Sequence, residues 1–406
     1  MSSLRFRAAS VVGALVLSGF AACSTGEVDL PASSPPSGDA GHMIGDAALP
    51  DDVDTEGPDG SDAGDAGDAG NAELPACTVD WCDTPLPIPD GGTLSLMDVW
   101  VPSKDEAWAV SQEGLVLRWS GTSWSVVWDA ETPLYGVTGD PEGNIWAVGA
   151  EGAIFRGPAG AGWTPIPSGV TTDLVGICEA SRDAEHPRNV AVVTENAVLR
   201  WNGDTDVDGM PVWTRSTFGE LEKLYSISCS GSDVWVSGTS ADFVQPGGRL
   251  YRSSDDDAGW EAQLASGKDG NLQIDFLQYE TLSSIWAHDR KNIWTRGQIG
   301  IVYGLPGAGD GQLIWARERS QMASLATLSK RPTGIWGSAA NDVWIVSSRG
   351  RVHHWDGTRV SITVTAKSWD VLESNLHAVS GSSASNVWVV GDNVALHRNV
   401  QDGGQD

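Results

Sequence analysis

The stretch GDTDVDGM, residues 203–210, places a carboxylate at every second position ahead of a glycine. This is the donor spacing of a calcium loop. Asp204, Asp206 and Asp208 would converge their carboxylates, Gly209 would allow the sharp bend, and Met210 would offer its carbonyl. Val212 and Arg215 stand where later ligands of a full loop belong, so a solvated acidic turn is the competing reading. A second chemistry is thiol pairing. Beyond Cys23 there are four cysteines, two of them close together in CTVDWC (77–82). Cys178 and Cys229 occupy equivalent strands of adjacent repeats. In an oxidising compartment the expected bridges are Cys77–Cys82 and Cys178–Cys229. Zinc is the poorer alternative, because no CxxC pair or nearby histidine completes a set. His353 and His354 follow one another on a strand, so they face opposite sides and pack rather than chelate. No nucleophile elbow and no phosphate-cradling glycine loop appears, since GPAGAG (157–162) sits in a hairpin without a following helix. No catalytic residues are assigned.

Charge narrows the partners. The 406-residue chain carries a net charge of −29, and a polyanion repels phosphate backbones, which argues against nucleic acid. The charge is uneven, with 16 Asp and Glu and no Lys or Arg between Ser24 and Thr93. Residues 23–83 are rich in Pro, Gly, Ala and Asp. Such a segment buries too little apolar area to offset chain entropy and is expected to be a disordered, self-repelling tether. Ahead of it, Arg5 and Arg7 precede the apolar run AASVVGALVLSGF (8–20), too short to span a bilayer comfortably. Residues 1–22 therefore read as a signal peptide.

The elements that must position any site begin at residue 84. Aligned on Trp108, Trp146, Ala191, Trp235, Trp294, Trp344 and Trp388, the chain repeats seven times at about 47 residues, within the range of roughly 40–50 typical of propeller blades. Each unit opens on a short apolar run, such as LYGVT (134–138) or PTGIW (332–336). Its central residue is small in six of seven units, with Asp98 the exception. Asn or Asp usually precedes the aligned position by two, where turn-capping residues belong. Alternating apolar residues follow, then a tight Gly or Asn turn. The fold expected is all-β: a seven-bladed propeller of four-stranded blades over 84–406. The last unit lacks an outer strand, and TPLPIPDGG (84–92) is expected to supply it and close the ring. Most of the 20 tryptophans are expected to fill wedges between blades. Trp100, Trp286 and Trp336 end innermost strands, so they are either packing or a platform for carbohydrate or peptide at a channel mouth.

Two stretches carry resemblances. FAAC, ending at Cys23, resembles the lipobox of bacterial lipoproteins, although Phe20 departs from the usual Leu. The resemblance implies lipidation of Cys23, and Ser24 in place of an acid implies an outer-membrane destination. Residues 85–406 resemble bacterial extracytoplasmic propellers of the Asp-box (BNR-like) kind, related in fold to sialidases and photosystem II assembly factors. In YRSSDDDAGW (251–260), Ser253, Asp255 and Trp260 match the box, while Asp257 replaces a usual glycine. The box is structural in that family. The arginine cluster and N-terminal signature of sialidases are missing, and the tyrosines (135, 225, 251, 279, 303) fall mostly at packing positions. The reading is a non-enzymatic, monomeric envelope lipoprotein that binds or scaffolds protein or polysaccharide and touches membrane only through its lipid. Calcium is the sole cofactor considered. A glycan-active enzyme and an envelope assembly factor are the alternatives.

Overall fold

The structure, a computed structural model, describes residues 77–399 except 79, 89–91, 141, 159–161, 181–188, 243–245, 254–258, 264–280, 298–300, 307–312, 318–331 and 368–369. Residues 1–22, Cys23 and most of the acidic stretch lie outside the described residues, as do Asp255, Asp257 and Tyr279.

The chain is an all-β propeller with four-stranded antiparallel blades. Six blades are each built from four strands that follow one another in sequence. The first runs through Leu96–Ser103, Glu106–Ser111, Leu115–Trp119 and Trp124–Asp129. The next four blades open with the innermost strands Leu134–Gly139, Leu174–Glu179, Glu222–Ser230 and Ser284–Asp289, and the sixth with Pro332–Ala339. The alternation that defines the strands is visible in burial. Second strands such as Asn144–Gly149 and Asp342–Ser347 are buried almost throughout, whereas the outer Trp124–Asp129 is buried mainly at its first residue.

A further sheet draws on both ends of the described chain. Leu376–Ser383, Asn386–Gly391 and Val394–Asn399 are joined on the outside by Cys82–Asp83. Cys82 pairs with His397 and Asp83 with Leu396, and the Thr84 N–H donates to the Ala395 carbonyl at 2.9 Å. The seven-bladed expectation is met in part: six blades are whole runs of consecutive strands, and the remaining four-stranded sheet takes Cys82–Asp83, rather than 84–92, as its added strand. The physical reason lies in the sequence, where Pro85, Pro87 and Pro89 have no N–H to give to a ladder. Leu86 and Ile88 instead pack against the core that joins this sheet to the first blade.

Innermost strands touch in chain order, and Leu376–Ser383 contacts both Pro332–Ala339 and Leu96–Ser103. Small central residues permit the approach: a Cβ on Gly136 would lie 3.1 Å from Val148 Cγ2 and 3.2 Å from Ile177 Cγ2. Farther out, tryptophans fill the seams. Trp388 meets Trp119 and Trp124 of the first blade with centroids 5.1 and 5.2 Å apart, and Trp146 meets Trp201 of the next blade at 5.2 Å. Trp81, in the loop before the added strand, plays the same part against Trp344 at 5.6 Å. Aromatic pairs of this kind add roughly 0.5–1.5 kcal/mol each beyond the area they bury.

Candidate binding channel

Seven innermost strands line a central channel of about 420 Å³. Two rows of residues build its wall. The residue after each central position is Val99, Val137, Ile177, Ile227, Ile285, Ile335 or Val379, a buried collar of β-branched side chains. Before the central position, six of the strands skip one residue in their pairing with the second strand. The skipped residues are Met97, Tyr135, Val175, Tyr225, Thr333 and His377, all on the channel lining. Bulges of this kind re-aim a side chain away from the ladder. Tyr135 and Tyr225, expected among packing positions, therefore stand at one rim, and Tyr225 is 36% exposed. His377 is held by Asp392 at 2.7 Å.

At the other end of the strands a single seam rule applies. The residue two past the centre of one blade faces the residue three past the centre of the next. Trp100 faces Gly139, Trp286 faces Gly337 and Trp336 faces Gly381, each so close that a Cβ on the glycine would overlap the ring. In the same register Cys178 is bridged to Cys229, and the Ala287 N–H donates to Ser228 Oγ at 3.1 Å. The three tryptophans thus line the channel as wedges, with one ring edge committed to a glycine. Both expected disulfides are present, the second closing CTVDWC between Cys77 and Cys82.

Two carboxyls near the channel are displaced in pKa. Asp98, at the one central position that is not small, accepts from its own blade at Val99 and from Val137 of the next blade at 3.0 Å. Burial outweighs those bonds and pushes its pKa up to about 7. Ser226 makes the equivalent reach, accepting from the Ile285 N–H at 3.3 Å. Glu179 is also raised to about 7, by burial first and then by the Asp140 and Glu142 charges. Asp140 itself is committed, accepting from Asn144, Trp146 Nε1 and Arg156.

The other candidates resolve as structure. Asp204, Asp206 and Asp208 are not brought together: among the described residues no group of three or more His, Cys, Asp or Glu is placed to hold a metal ion. Asp206 Oδ1 accepts from the Asp208 and Met210 N–H groups, each at 2.9 Å, and the Met210 carbonyl accepts from the Asp206 N–H. Asp206 and Met210 thereby hold a hairpin closed by the Thr205–Pro211 bridge. His353 is buried and its pKa is lowered to about 4 by burial and Arg351. His354, on the opposite face, stacks on Trp344 at 3.9 Å and bonds to Asp342 at 2.5 Å. Tyr251 donates to Glu222 Oε1 at 2.7 Å beside Arg249, a grouping reminiscent of glycosidase machinery. Burial and Glu222 raise its phenol pKa, and it packs on Phe218 away from the channel lining. Sequence reading missed the bulged rim and the seam rule. The only signal for the first was the aromatic at the position before Gly136 and Ser226.

No family model matches the chain, and no curated protein matches it. Among solved structures it is similar to YCF48 bound to D1 peptide, with a TM-score of 0.58 at 15% identity over 81% of this chain and 99% of that one. It is also similar to the WD40 propeller domain of Doa1, with a TM-score of 0.53 at 13% identity over 77% and 95%. A third likeness is to the extracellular domain of the putative two-component protein BT4673 from B. thetaiotaomicron, with a TM-score of 0.55 at 11% identity over 80% and 40%. At these identities the likeness is one of fold.

Proposed function

We propose that a propeller fixed this firmly at its seams serves as a non-enzymatic binding module for a protein partner, held at the bacterial envelope by a lipid on Cys23. The added Cys82–Asp83 strand and the unbroken succession of innermost strands support reading the sheets as one closed, seven-bladed disc. Closure removes the sheet edges that would otherwise invite unspecific pairing. The observation that carries the binding reading is the bulged rim, where Tyr135 and Tyr225 leave the ladder to face an open channel of about 420 Å³. Tyrosine supplies large contact area at low entropic cost, and such residues concentrate binding energy at protein interfaces. The first solved structure named above, a complex with a peptide, makes a protein ligand a natural occupant of this fold. A polysaccharide platform is less well supported, because Trp100, Trp286 and Trp336 are engaged with glycines across the seams.

The acidic tether then works as a spacer between lipid and disc, and it ends before Cys77, because Trp81 and Cys82–Asp83 belong to the last sheet and its seam. Cross-linking in intact cells tests the binding reading. One stoichiometric envelope protein should be recovered with the wild-type chain and lost with Tyr135→Ala plus Tyr225→Ala. Equal recovery by the double variant, or turnover of a glycan panel with no recovered protein, would contradict it. The anchor is tested by fractionation: Cys23→Ala should leave the membrane fraction, and retention there would refute lipidation.

A further inference from the structure

We propose that the bulged rim of the channel takes a basic, extended segment of the partner protein. This deepens the binding reading above and rests on it. Where these connections are described, the turn between second and third strands and the link to the next blade lie at the same end of the sheet as the bulge. Backbone contacts tie them together, as where the Ala130 N–H donates to the Gly114 carbonyl and the Glu151 N–H to Asp173 Oδ1. Glu113, Glu131, Glu151, Asp173, Glu220 and Glu373 are all exposed at this end. The exposed bases described there are Lys223, paired with Glu195, and Arg349. The opposite end is mixed, since Lys104, Arg290, Lys291 and Arg359 accompany Asp105, Glu142, Asp289 and Asp356.

The acidic end is also the end with an apolar centre. Tyr225 is 36% exposed and shares the rim with Met97, Tyr135 and Val175, with the polar Thr333 and His377 on the remaining bulged strands. Leu221, beside Tyr225 in the preceding link, is 52% exposed. Carboxylates outside and phenol rings inside suit Arg or Lys side chains, which pair with the first and stack on the second. The same charge rejects the acidic stretch of this chain, nucleic acid and anionic lipid headgroups. Acids spread around the rim match several cations along a chain rather than one ion.

A chain of net charge −29 will attract any polycation, so the test must separate the two ends. The probe is a fluorescent twelve-residue peptide of alternating Arg and Val, titrated by anisotropy against the full chain. Its Glu-for-Arg counterpart serves as a control. Glu131→Lys plus Glu220→Lys should weaken binding at least 10-fold, and Tyr225→Ala several-fold. The opposite-end pair Asp105→Lys plus Glu142→Lys, of identical charge change, should alter it less than 2-fold. Equal loss from both charge-reversed pairs, absence of binding, or preference for the Glu peptide would overturn the inference. If cross-linking to the envelope partner still depends on Tyr135 and Tyr225 in that case, the binding reading stands and the basic character alone falls.

Discussion

Trp100 lies so close to Gly139 of the neighbouring blade that a Cβ there would sit 2.1 Å from ring carbon Cη2. The glycine exists for the tryptophan. Gly139→Ala should therefore cost roughly 1–3 kcal/mol, the usual penalty for overpacking. Adding Trp100→Ala should recover part of that loss, because contacting residues are not additive. Denaturant unfolding of the four chains reads the coupling, and strict additivity would refute the contact.

Cys178 and Cys229 hold the same two seam positions, with a covalent bond in place of a wedge. Their sequence separation is 51 and that of Cys77 and Cys82 is 5. On the loop-closure account the first bond stabilises by about 4 kcal/mol and the second by about 2. Removal of each pair by double alanine substitution, followed by denaturant unfolding, should reproduce that order. The reverse order would contradict it.

Asp98 has a pKa raised by burial to about 7, above its value in the unfolded chain. The folded state then binds the proton more tightly, so the stability this group contributes is fully present below about pH 4 and is lost as pH rises to about 7. Asp98→Asn cannot titrate. Melting midpoints measured from pH 4 to 8 should show the wild type falling relative to the variant across that window. Parallel profiles would contradict the raised pKa.

For the 203–210 turn, Asp206 already satisfies the Asp208 and Met210 N–H groups without an ion. A melting midpoint unchanged between excess calcium and excess chelator is expected. A clear upward shift with calcium would show that the loop rearranges to bind it.

The repeat was legible because strand, turn and small-residue positions are local patterns, each recurring within a few residues. The seam rule was not, since it relates residues some 39 to 59 positions apart in the numbering and its members differ from seam to seam. Trp–Gly, Cys–Cys and Ser–Ala share a place but no chemistry. Cys178 and Cys229 were the readable instance because their chemistry alone implies a partner. Trp81 was hidden between two cysteines in a stretch whose composition resembles the tether. The aspartates of 203–210 are hard to read for the opposite reason: spacing is one-dimensional, and the backbone hydrogen bonds made by Asp206 and Met210 are not written in it.

The pairing of Cys82–Asp83 with Val394–Asn399 carries the closed disc proposed above. Amide hydrogen exchange in the full-length chain reads it at Thr84, whose N–H is bonded to Ala395. The prediction is slow exchange at Thr84, on the timescale of the amides inside Val394–Asn399. Exchange there at the rate of an unstructured peptide would mean that the last sheet ends at three strands, and the closed disc would be wrong.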